Sequence, residues 1–518
     1  MVKLFKSNYI FLTLLFVTFI TYANIFPNQL FYDDEELIYQ NSYVKDLRNF
    51  PKYFTENMIA GAGKTSNMYR PILLTSFAID YAIWKNNPLG YHLTSIILHA
   101  INAILIFIFI NWLFKNKLLA ALTSLLFIIH PVQTEAIVYA SGRTDPLYLF
   151  FGLSSLLLFI SLFKKGRYFI PRYIFSILLF ILSLLTKETA IIFPALFMLV
   201  FFTQKEHKIT FKKLLLLLIP FVLLIIIYVS LRLTILNFAD TLNFYKESNV
   251  YSQNLFVRIM TLCEAFFQYL LVLIFPYDLI FARNIPIITS PLNFWVIAFI
   301  FATSLLLIFS LVFWKKNKIF LFSLLWFFIG LLPVAGIIPI NSILAEHYLY
   351  LPSVSFFLLA STLFVYLWQK YQKNNNRLLL LFSASLICLS LFIRTVIRNI
   401  DWHDPITFYT KSLAQTPGHI PMRHNLAMAY AEKGDITRAI MEYRQIIETD
   451  DIYPNTHHNL ANIYKALGEY KKAEAEYKKA LEMDPNFRFS YLGLLDLYQK
   501  TGEKEKLTEI EAKIENLK

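Results

Sequence analysis

Apolar runs long enough to cross a lipid bilayer recur along the first four hundred residues of this 518-residue chain. A transmembrane helix needs about 20 mostly apolar residues, so these runs restrict the fold more than any other feature. Hydrophobic residues make up 57% of the chain and charged residues only 16%, which excludes a disordered protein and is unusual for a soluble one. The sequence therefore predicts an all-α polytopic membrane protein.

About eleven of these runs are predicted to span the membrane. They are 8–27, 89–114, 117–136, 144–163, 168–186, 188–204, 213–235, 292–314, 319–340, 349–368 and 377–398. The first is interpreted as a retained signal anchor, because it lacks a small-residue cleavage site. A further apolar stretch, 256–278, contains Arg258, Glu264 and Gln268 and is interpreted as re-entrant or interfacial.

The basic residues of the first 400 positions gather in short loops between the runs. These clusters lie near 115–117, 164–172, 205–213, 315–318 and 370–377. Such clusters mark cytoplasmic loops, so the net charge of +13 reflects membrane orientation and predicts no nucleic-acid partner. With eleven crossings, the N-terminus (with Lys3 and Lys6) is cytoplasmic and the C-terminus is extracytoplasmic. Glu206 is the one acidic residue of 1–400 on the cytoplasmic side.

After residue 400 the pattern changes to a period of 34 residues. Three sets of residues recur at this interval: Leu426, Leu460 and Leu494; Tyr430, Tyr464 and Tyr498; and Gly434, Gly468 and Gly502. This spacing is typical of tetratricopeptide repeats, which stack into an α-solenoid with a concave binding face. We predict a membrane domain over 1–400 and repeats over 401–518. The repeats divide into a partial repeat at 401–419 and full repeats at 420–453, 454–487 and 488–518.

The predicted first outside loop, 28–88, begins with four consecutive acids, Asp33-Asp34-Glu35-Glu36, directly after the first span. A solvated charge run is the commoner explanation of such a segment. Because this run abuts the bilayer, where a lipid-linked phosphate would lie, a carboxylate here could also act as general base on a hydroxyl. A divalent metal ion would fit these acids, but the spacing specifies no set of ligands.

Ionisable residues also lie at the predicted outer ends of later spans, where they are costly and are functional candidates. Arg143 and Lys187 suit a phosphate, since arginine binds it as a bidentate fork and lysine as a point charge. The alternative is a pair of structural ion bridges, Arg143 with Asp145 and Lys187 with Glu188.

Two other motifs carry less weight. The segment GAGKT at 61–65 looks like a phosphate loop, but Met58 stands where the first glycine of that motif belongs and no strand is predicted before it. His92 and His99 lie seven residues apart on one helix face. Hydrogen-bonded core histidines are favoured over metal ligands, because no third ligand has suitable spacing.

The order of the motifs resembles a known family. It runs through Asp33-Asp34, Tyr69-Arg70-Pro71, His92 with His99, His130-Pro131, Thr134-Glu135, Gly142-Arg143-Thr144-Asp145, Lys187-Glu188 and Ala345-Glu346-His347-Tyr348-Leu349-Tyr350-Leu351-Pro352-Ser353. Followed by the repeats, this order is similar to the transmembrane and tetratricopeptide repeat-containing O-mannosyltransferase family of the GT-C glycosyltransferase superfamily. The resemblance covers nearly the whole chain.

The resemblance implies inverting transfer of a sugar from a polyprenyl-phosphate donor to an extracytoplasmic acceptor, with the catalytic carboxylates at Asp33 and Asp34. Arg143 and Lys187 then bind the donor phosphate. Residues expected to line the substrate site are Arg70, His92, Asp145, Glu188, Glu346 and His347. One position departs from the pattern, because His347 stands where the family leads us to expect arginine.

The Phe-, Lys- and Asn-rich composition suggests a bacterial member of this family, in the inner (plasma) membrane, with repeats that recruit a protein or glycan acceptor. Two other functions remain open. One is a ligase or polymerase that acts on lipid-linked glycans. The other is a non-enzymatic, membrane-anchored repeat scaffold, which would not need acids and cations at several outer helix ends.

The predicted orientation can be tested with single cysteines at Asn375 and Asn455 in an otherwise cysteine-free chain. With eleven crossings, the loop before the last span is cytoplasmic and the repeats are not. An impermeant thiol reagent applied to intact membranes should therefore label the two positions from opposite sides. Labelling of both from the same side would refute the eleven-span topology.

Overall fold

The computed structural model describes residues 7–163, 168–204, 209–239, 249–281, 283, 285–313, 318–338, 342–371 and 376–515. These residues form helices and connecting turns and no strand, which confirms the predicted all-α class. Several residues used to predict the orientation, among them Lys3, Lys6, Glu206 and Asn375, lie outside the described residues. The chain divides into two compact units, 1–403 and 404–518.

The first unit contains fifteen α-helices in its described residues. They are α1 (Ser7–Tyr22), α2 (Pro71–Trp84), α3 (Pro88–Phe114), α4 (Lys117–Ile129), α5 (Thr134–Val138), α6 (Thr144–Ser161), α7 (Phe169–Leu184), α8 (Phe193–Thr203), α9 (Phe211–Leu233), α10 (Val250–Gln253), α11 (Leu255–Ile274), α12 (Phe294–Phe313), α13 (Lys318–Leu331), α14 (Ser353–Lys370) and α15 (Asn376–Ile400).

Among the described residues, six helical segments are long and apolar enough to cross a membrane, or seven if a bent pair counts as one span. The six are Pro88–Phe114, Ser141–Ser161, Phe211–Leu233, Leu255–Ile274, Phe294–Val312 and Asn376–Ile400. Five further apolar helices, among them Tyr9–Ile25 and Phe169–Leu184, are shorter. The protein is therefore an integral membrane protein, while the count of eleven crossings is not confirmed.

The segment interpreted as re-entrant, 256–278, contains one of the six long apolar helices, α11. Its charged residues argued against a span. The fold, however, provides hydrogen-bond acceptors for one of them, Arg258. Arg258 is buried and donates hydrogen bonds to the carbonyl oxygens of Gly336, at 2.5 Å, and Ser252, at 2.8 Å. A buried cation satisfied by carbonyls does not prevent a helix from lying at membrane depth.

The bent pair consists of α4 and the segment Pro131–Val138, which meet at 57°. Proline at 131 offers no N–H to continue α4, and the residue before it is held extended, with ψ 127° at His130. The His130 ring accepts a hydrogen bond from the Val132 N–H, which stabilises the bend. The bend sets the direction of the following short helix, α5, which carries Glu135.

The loop that follows α1 has a small core of its own. It packs against α2 and the start of α3 through buried side chains, namely Leu30, Leu37, Ile38, Val44, Tyr53, Met58, Leu73, Leu74, Phe77, Ala78, Tyr91 and Ala140. Burial of this many apolar side chains fixes the loop, whose helical parts are the short turns Glu35–Tyr39, Leu47–Phe54 and Ala60–Ala62. The acidic run is therefore attached to a rigid support.

The second unit is built of helical hairpins. Its helices are α16 (Pro405–Gln415), α17 (Ile420–Glu432), α18 (Ile436–Thr449), α19 (Pro454–Ala466), α20 (Tyr470–Met483), α21 (Arg488–Thr501) and α22 (Lys504–Glu515). The helices pair in register with the predicted 34-residue period. The turns inside the hairpins hold Gly434, Gly468 and Gly502 at φ of 82°, 78° and 76°, where a side chain is strained.

Replacement of Gly468 by alanine should destabilise its hairpin by about 1 kcal/mol, because the left-handed conformation penalises a β-carbon. Gly418 provides a matched control, since an added β-carbon there meets open space at an ordinary φ. Amide hydrogen exchange of α19 and α20 in the full chain would measure both. Equal protection in Gly468→Ala and Gly418→Ala would contradict this account of the turn.

Candidate active site

Asp34 attaches the acidic run to the turn before α6. It is buried, and its carboxylate accepts hydrogen bonds from the backbone N–H of Ser141, at 2.8 Å, from that of Ala140, at 3.3 Å, and from the Ser141 hydroxyl. Burial raises the pKa of Asp34 to about 7, although these donors act in the opposite direction. Asp34 therefore fixes the position of its neighbours and has no open face for a reactant.

Asp33, in contrast, is exposed. Its backbone N–H donates to the hydroxyl of Tyr139 at 3.2 Å, and that hydroxyl donates in turn to the Asp33 carboxylate. Loss of hydration beside the surrounding protein raises the pKa of Asp33; the Tyr139 hydrogen bond and the charge of Arg70 lower it, and Glu36 raises it further. A carboxylate with a raised pKa is a stronger base when it is ionised.

The backbone around Asp33 has an unusual conformation. Tyr32 lies in the left-handed region, with φ 64°, which costs free energy for a bulky side chain. A single π-helical turn, Glu35–Tyr39, follows Asp34 directly. Both features recur at functional sites, where packing holds a strained backbone in place.

Aromatic rings form a wall beside Asp33. The Tyr32 ring lies 5.5 Å from Phe281, and the Tyr139 ring stacks on Trp402 at 5.3 Å. Phe281 also meets the edge of Trp402 at 5.5 Å. This wall brings an ordinary loop residue, Phe281, to the acidic run and reduces the access of water to it.

Two ion pairs are related to Asp33 through the charge of Arg70. Arg70, which immediately precedes α2, contacts Glu188 at 3.2 Å, and the Nε atom of Arg70 is buried with no hydrogen bond among the described residues. Lys187 donates to both carboxylate oxygens of Asp145, at 2.7 and 2.9 Å. The charge of Arg70 acts on both Asp33 and Asp145, which places these residues in one neighbourhood.

A further group of ionisable residues surrounds the turn Glu346–Leu349. Glu135 contacts His347, with 2.6 Å between Oε1 and Nδ1, and Arg398 approaches Glu346 at 3.5 Å. Both carboxylate oxygens of Glu346 are buried without a hydrogen bond within the described ranges. Burial and the charge of Glu135 raise the pKa of Glu346 to about 7, against the lowering effect of Arg398.

Contacts, charge effects and adjacent positions in the chain connect these groups, which together we call the ring. Tyr348 packs on His347, and its ring lies 5.8 Å from the ammonium of Lys187. On the far side the charge of Arg283, two residues after Phe281, acts on Glu346. The ring comprises Asp33, Arg70, Lys187, Tyr348, His347, Glu346, Arg283 and Phe281.

Two of the residues predicted for the site are buried and do not belong to this ring. Arg143 is fully buried and contacts Asp80 at 2.6 Å, with further hydrogen bonds to Ser76, Ser95 and the Tyr91 carbonyl. His92 is buried, and its Nε2 atom lies 3.0 Å from the carbonyl oxygen of Asn28. The ion pairs considered from sequence, Arg143 with Asp145 and Lys187 with Glu188, are replaced by Arg143 with Asp80 and Lys187 with Asp145.

Sequence reasoning missed several residues that contact the predicted site residues. Glu135 lies in a motif that the resemblance used, yet nothing in the sequence pairs it with His347. Asp80 carried a usable signal, because an acid inside an otherwise apolar helix needs a buried cation. Tyr139, Tyr348 and Arg398 gave none, since interfacial tyrosines and arginines are common.

The described residues contain no group of three or more His, Cys, Asp or Glu side chains that could hold a metal ion. The acids of the run point to different partners instead. Asp34 is bound by the turn at 140–141, and Glu36 contacts Lys64 at 2.5 Å. In the described residues, Asp34 and Glu36 of the run thus have separate protein partners.

Comparison with known proteins supports both parts of the sequence interpretation. Tetratricopeptide repeat models match residues 420–452 and 454–487. A protein O-mannosyl-transferase of Caenorhabditis elegans is 26% identical over 457 residues, which cover 85% of this chain and 63% of the relative. Protein O-mannosyl-transferase TMTC3 of Mus musculus is 26% identical over 75% of this chain and 45% of its own length. Mouse TMTC4, of the same description, is 25% identical over 83% of this chain and 65% of its own length.

The resemblance inferred from the motif order is confirmed by these relatives. The chain spans less than two thirds of the length of each of them, from 45% to 65%.

Replacement of Arg143 by glutamine should destabilise the protein by about 3–5 kcal/mol, because it leaves Asp80 buried without its cation. Arg48 offers a matched control, since its side chain is 91% exposed in its pair with Asp46 and its removal should hardly change stability. Thermal unfolding in detergent would measure both. An Arg143→Gln variant as stable as Arg48→Gln would argue against the structural role and in favour of phosphate binding.

Proposed function

We propose that this chain, a homologue of the protein O-mannosyl-transferases, is a membrane glycosyltransferase. It moves a sugar from a polyprenyl-phosphate donor to a hydroxyl of a protein acceptor, with inversion at the anomeric carbon. The names of the relatives support the transfer of mannose to protein. The lipid donor and the inverting displacement rest on the motif order and on the chemistry of the ring.

The observation that carries this proposal is the state of Asp33. Asp33 is exposed in the loop after α1, directly precedes the anchored Asp34 in the chain, and has a raised pKa. An acceptor hydroxyl is a weak nucleophile at neutral pH and needs a base within hydrogen-bond reach. Asp33 takes that proton, while Asp34 acts as a positioning residue.

The donor phosphate requires positive charge close to Asp33. Lys187 keeps one N–H for a ligand after its two hydrogen bonds to Asp145, because an ammonium has three. Arg70 has its buried Nε group unused. We assign the phosphate contact to Lys187 and Arg70, with Asp145 and Glu188 orienting these cations. Arg143 acts through the packing that it stabilises, because its N–H groups already bind protein.

The repeats supply a second, separate part of the proposal. Tetratricopeptide repeats commonly dock protein segments, so this unit recruits the protein acceptor and takes no part in the chemistry. For this purpose it lies on the catalytic, extracytoplasmic side, with the N-terminus in the cytoplasm. We place the protein in a bacterial plasma membrane on the basis of its composition.

Replacement of Asp33 by asparagine should reduce transfer by about 10²–10⁴-fold, the usual loss on removal of a general base. Donor affinity should be largely kept, because asparagine preserves the shape. In the wild type, the rate should rise as pH increases through the raised pKa of Asp33, because the carboxylate is then ionised. The variant should not show this rise. Transfer from polyprenyl-phosphate mannose to a Ser/Thr peptide, measured against pH, provides the test.

Glu36→Gln is the matched control, since Glu36 belongs to the same acidic run but is occupied by Lys64 at the surface. It should keep nearly normal transfer. Equal rates for Asp33→Asn and Glu36→Gln would remove the catalytic role of Asp33. Transfer to a glycan but not to peptide would favour the ligase or polymerase alternative, and no transfer at all would favour a scaffold.

A further inference from the structure

Glu135 holds His347 at two points. One carboxylate oxygen lies 2.6 Å from the ring Nδ1, and the other accepts a hydrogen bond from the backbone N–H of His347 at 3.1 Å. Because a carboxylate only accepts hydrogen bonds, Nδ1 carries a hydrogen in this contact. Both the tautomer and the direction of the ring are therefore set by Glu135, and Nε2 is the nitrogen left for another partner.

The two side chains differ in exposure. Glu135 is 2% exposed, whereas the His347 side chain is 26% exposed, so the imidazole extends outward from a buried carboxylate. No hydrogen bond to Nε2 is formed by the residues that the structure describes.

The pair belongs to the ring that contains Asp33. His347 packs on Tyr348 at 4.5 Å, and Tyr348 lies beside the ammonium of Lys187. The other ionisable groups around the pair are Glu346 on the same turn, Arg398 on α15 and Tyr269 on α11. Tyr348 therefore links His347 to the cation that we assign to the donor phosphate.

We propose that Glu135 and His347 form a leaving-group dyad, in which His347 protonates the departing lipid phosphate and Glu135 positions the imidazole. This inference rests on the proposed glycosyl transfer. Lys187 and Arg70 stabilise charge, but arginine does not release a proton in proteins. A histidine can do so near neutral pH, which makes it suited to general acid catalysis.

The proposed step forms one bond, breaks one bond and moves two protons. The acceptor oxygen forms a bond to the anomeric carbon as the bond from that carbon to the phosphate oxygen breaks. The acceptor proton passes to the Asp33 carboxylate, and the electron pair of the broken bond stays on the phosphate oxygen. The Nε2 proton of the His347 imidazolium passes to the phosphate. Asp33 then releases one proton to solvent and His347 regains one, so the cycle consumes none.

The test compares His347→Gln with His347→Arg in the full chain, using polyprenyl-phosphate mannose and a Ser/Thr peptide. Wild-type kcat should fall as pH rises, because the group that protonates the leaving phosphate must carry its proton. His347→Gln should lose about 10²–10⁴-fold in kcat. His347→Arg should keep the donor KM near wild type, because it retains the cation, but show reduced kcat without the falling limb.

A second donor separates proton transfer from structure. A polyprenyl-phosphorothioate mannose has a more acidic leaving group, so it should restore part of the lost rate in His347→Gln. A merely structural role would leave the two donors equally slow in the variant. Wild-type kcat and pH dependence in either variant, or no recovery with the phosphorothioate, would overturn the dyad.

The outcomes also separate this inference from the proposed function. Transfer by the wild type with no effect of His347 substitution would reject the dyad alone. Absence of transfer from any polyprenyl-phosphate sugar by the wild type would reject the proposed function and the dyad together. If His347→Gln unfolds at lower temperature than wild type, the His347→Arg profile, in a variant that can still pair with Glu135, decides the question.

Discussion

The hydrogen bonds between Asp34 and the turn at 140–141 are the contact on which the candidate site depends. They join the loop after the first helix to the start of α6, two segments more than one hundred positions apart. A buried carboxylate that accepts several N–H bonds is costly to release, because its donors would be left unsatisfied. The left-handed Tyr32 and the exposed Asp33 keep their positions because the next residue cannot move.

Buried charge in this unit is arranged in opposite pairs. Arg143 faces Asp80 and Lys187 faces Asp145, each with very little exposed side-chain surface. Burial of an ion is costly unless a partner and hydrogen bonds compensate it, so such pairs hold their members in fixed geometry more than they add stability. A site built in this way offers a ligand directed N–H groups without a large unbalanced charge.

The sequence predicted the classes of secondary and repeat structure, but it did not predict which charged side chains pair with each other. Hydropathy identified the apolar helices, and the 34-residue spacing of Gly434, Gly468 and Gly502 identified the helical hairpins. Several residues assigned to the site from the motif order contact one another, as Arg70 and Glu188 do. Their pairing was missed because it joins distant positions: Lys187 and Asp145 are 42 residues apart, and His347 and Glu135 are 212 residues apart. Local spacing therefore suggested Arg143 with Asp145, although the fold supplies Asp80.

The charges that argued against a span in α11 illustrate the same limit. Hydropathy scoring treats Arg258 as exposed to lipid, whereas the fold gives it carbonyl partners on neighbouring segments. A composition rule cannot register such partners, because they come from residues far along the chain. Depth in the membrane therefore follows from packing as well as from sequence.

The contrast between buried and exposed ion pairs has a consequence for ionic strength. Salt screens charges at the surface within a Debye length of about 8 Å under physiological conditions, but it acts much less on pairs enclosed by protein. The repeats rely on pairs at the surface, such as Lys513 with Glu509, whose side chains are 52% and 63% exposed. Changes in salt concentration in the surrounding medium should therefore alter the repeat unit while leaving the enclosed charges of the membrane unit nearly unaffected.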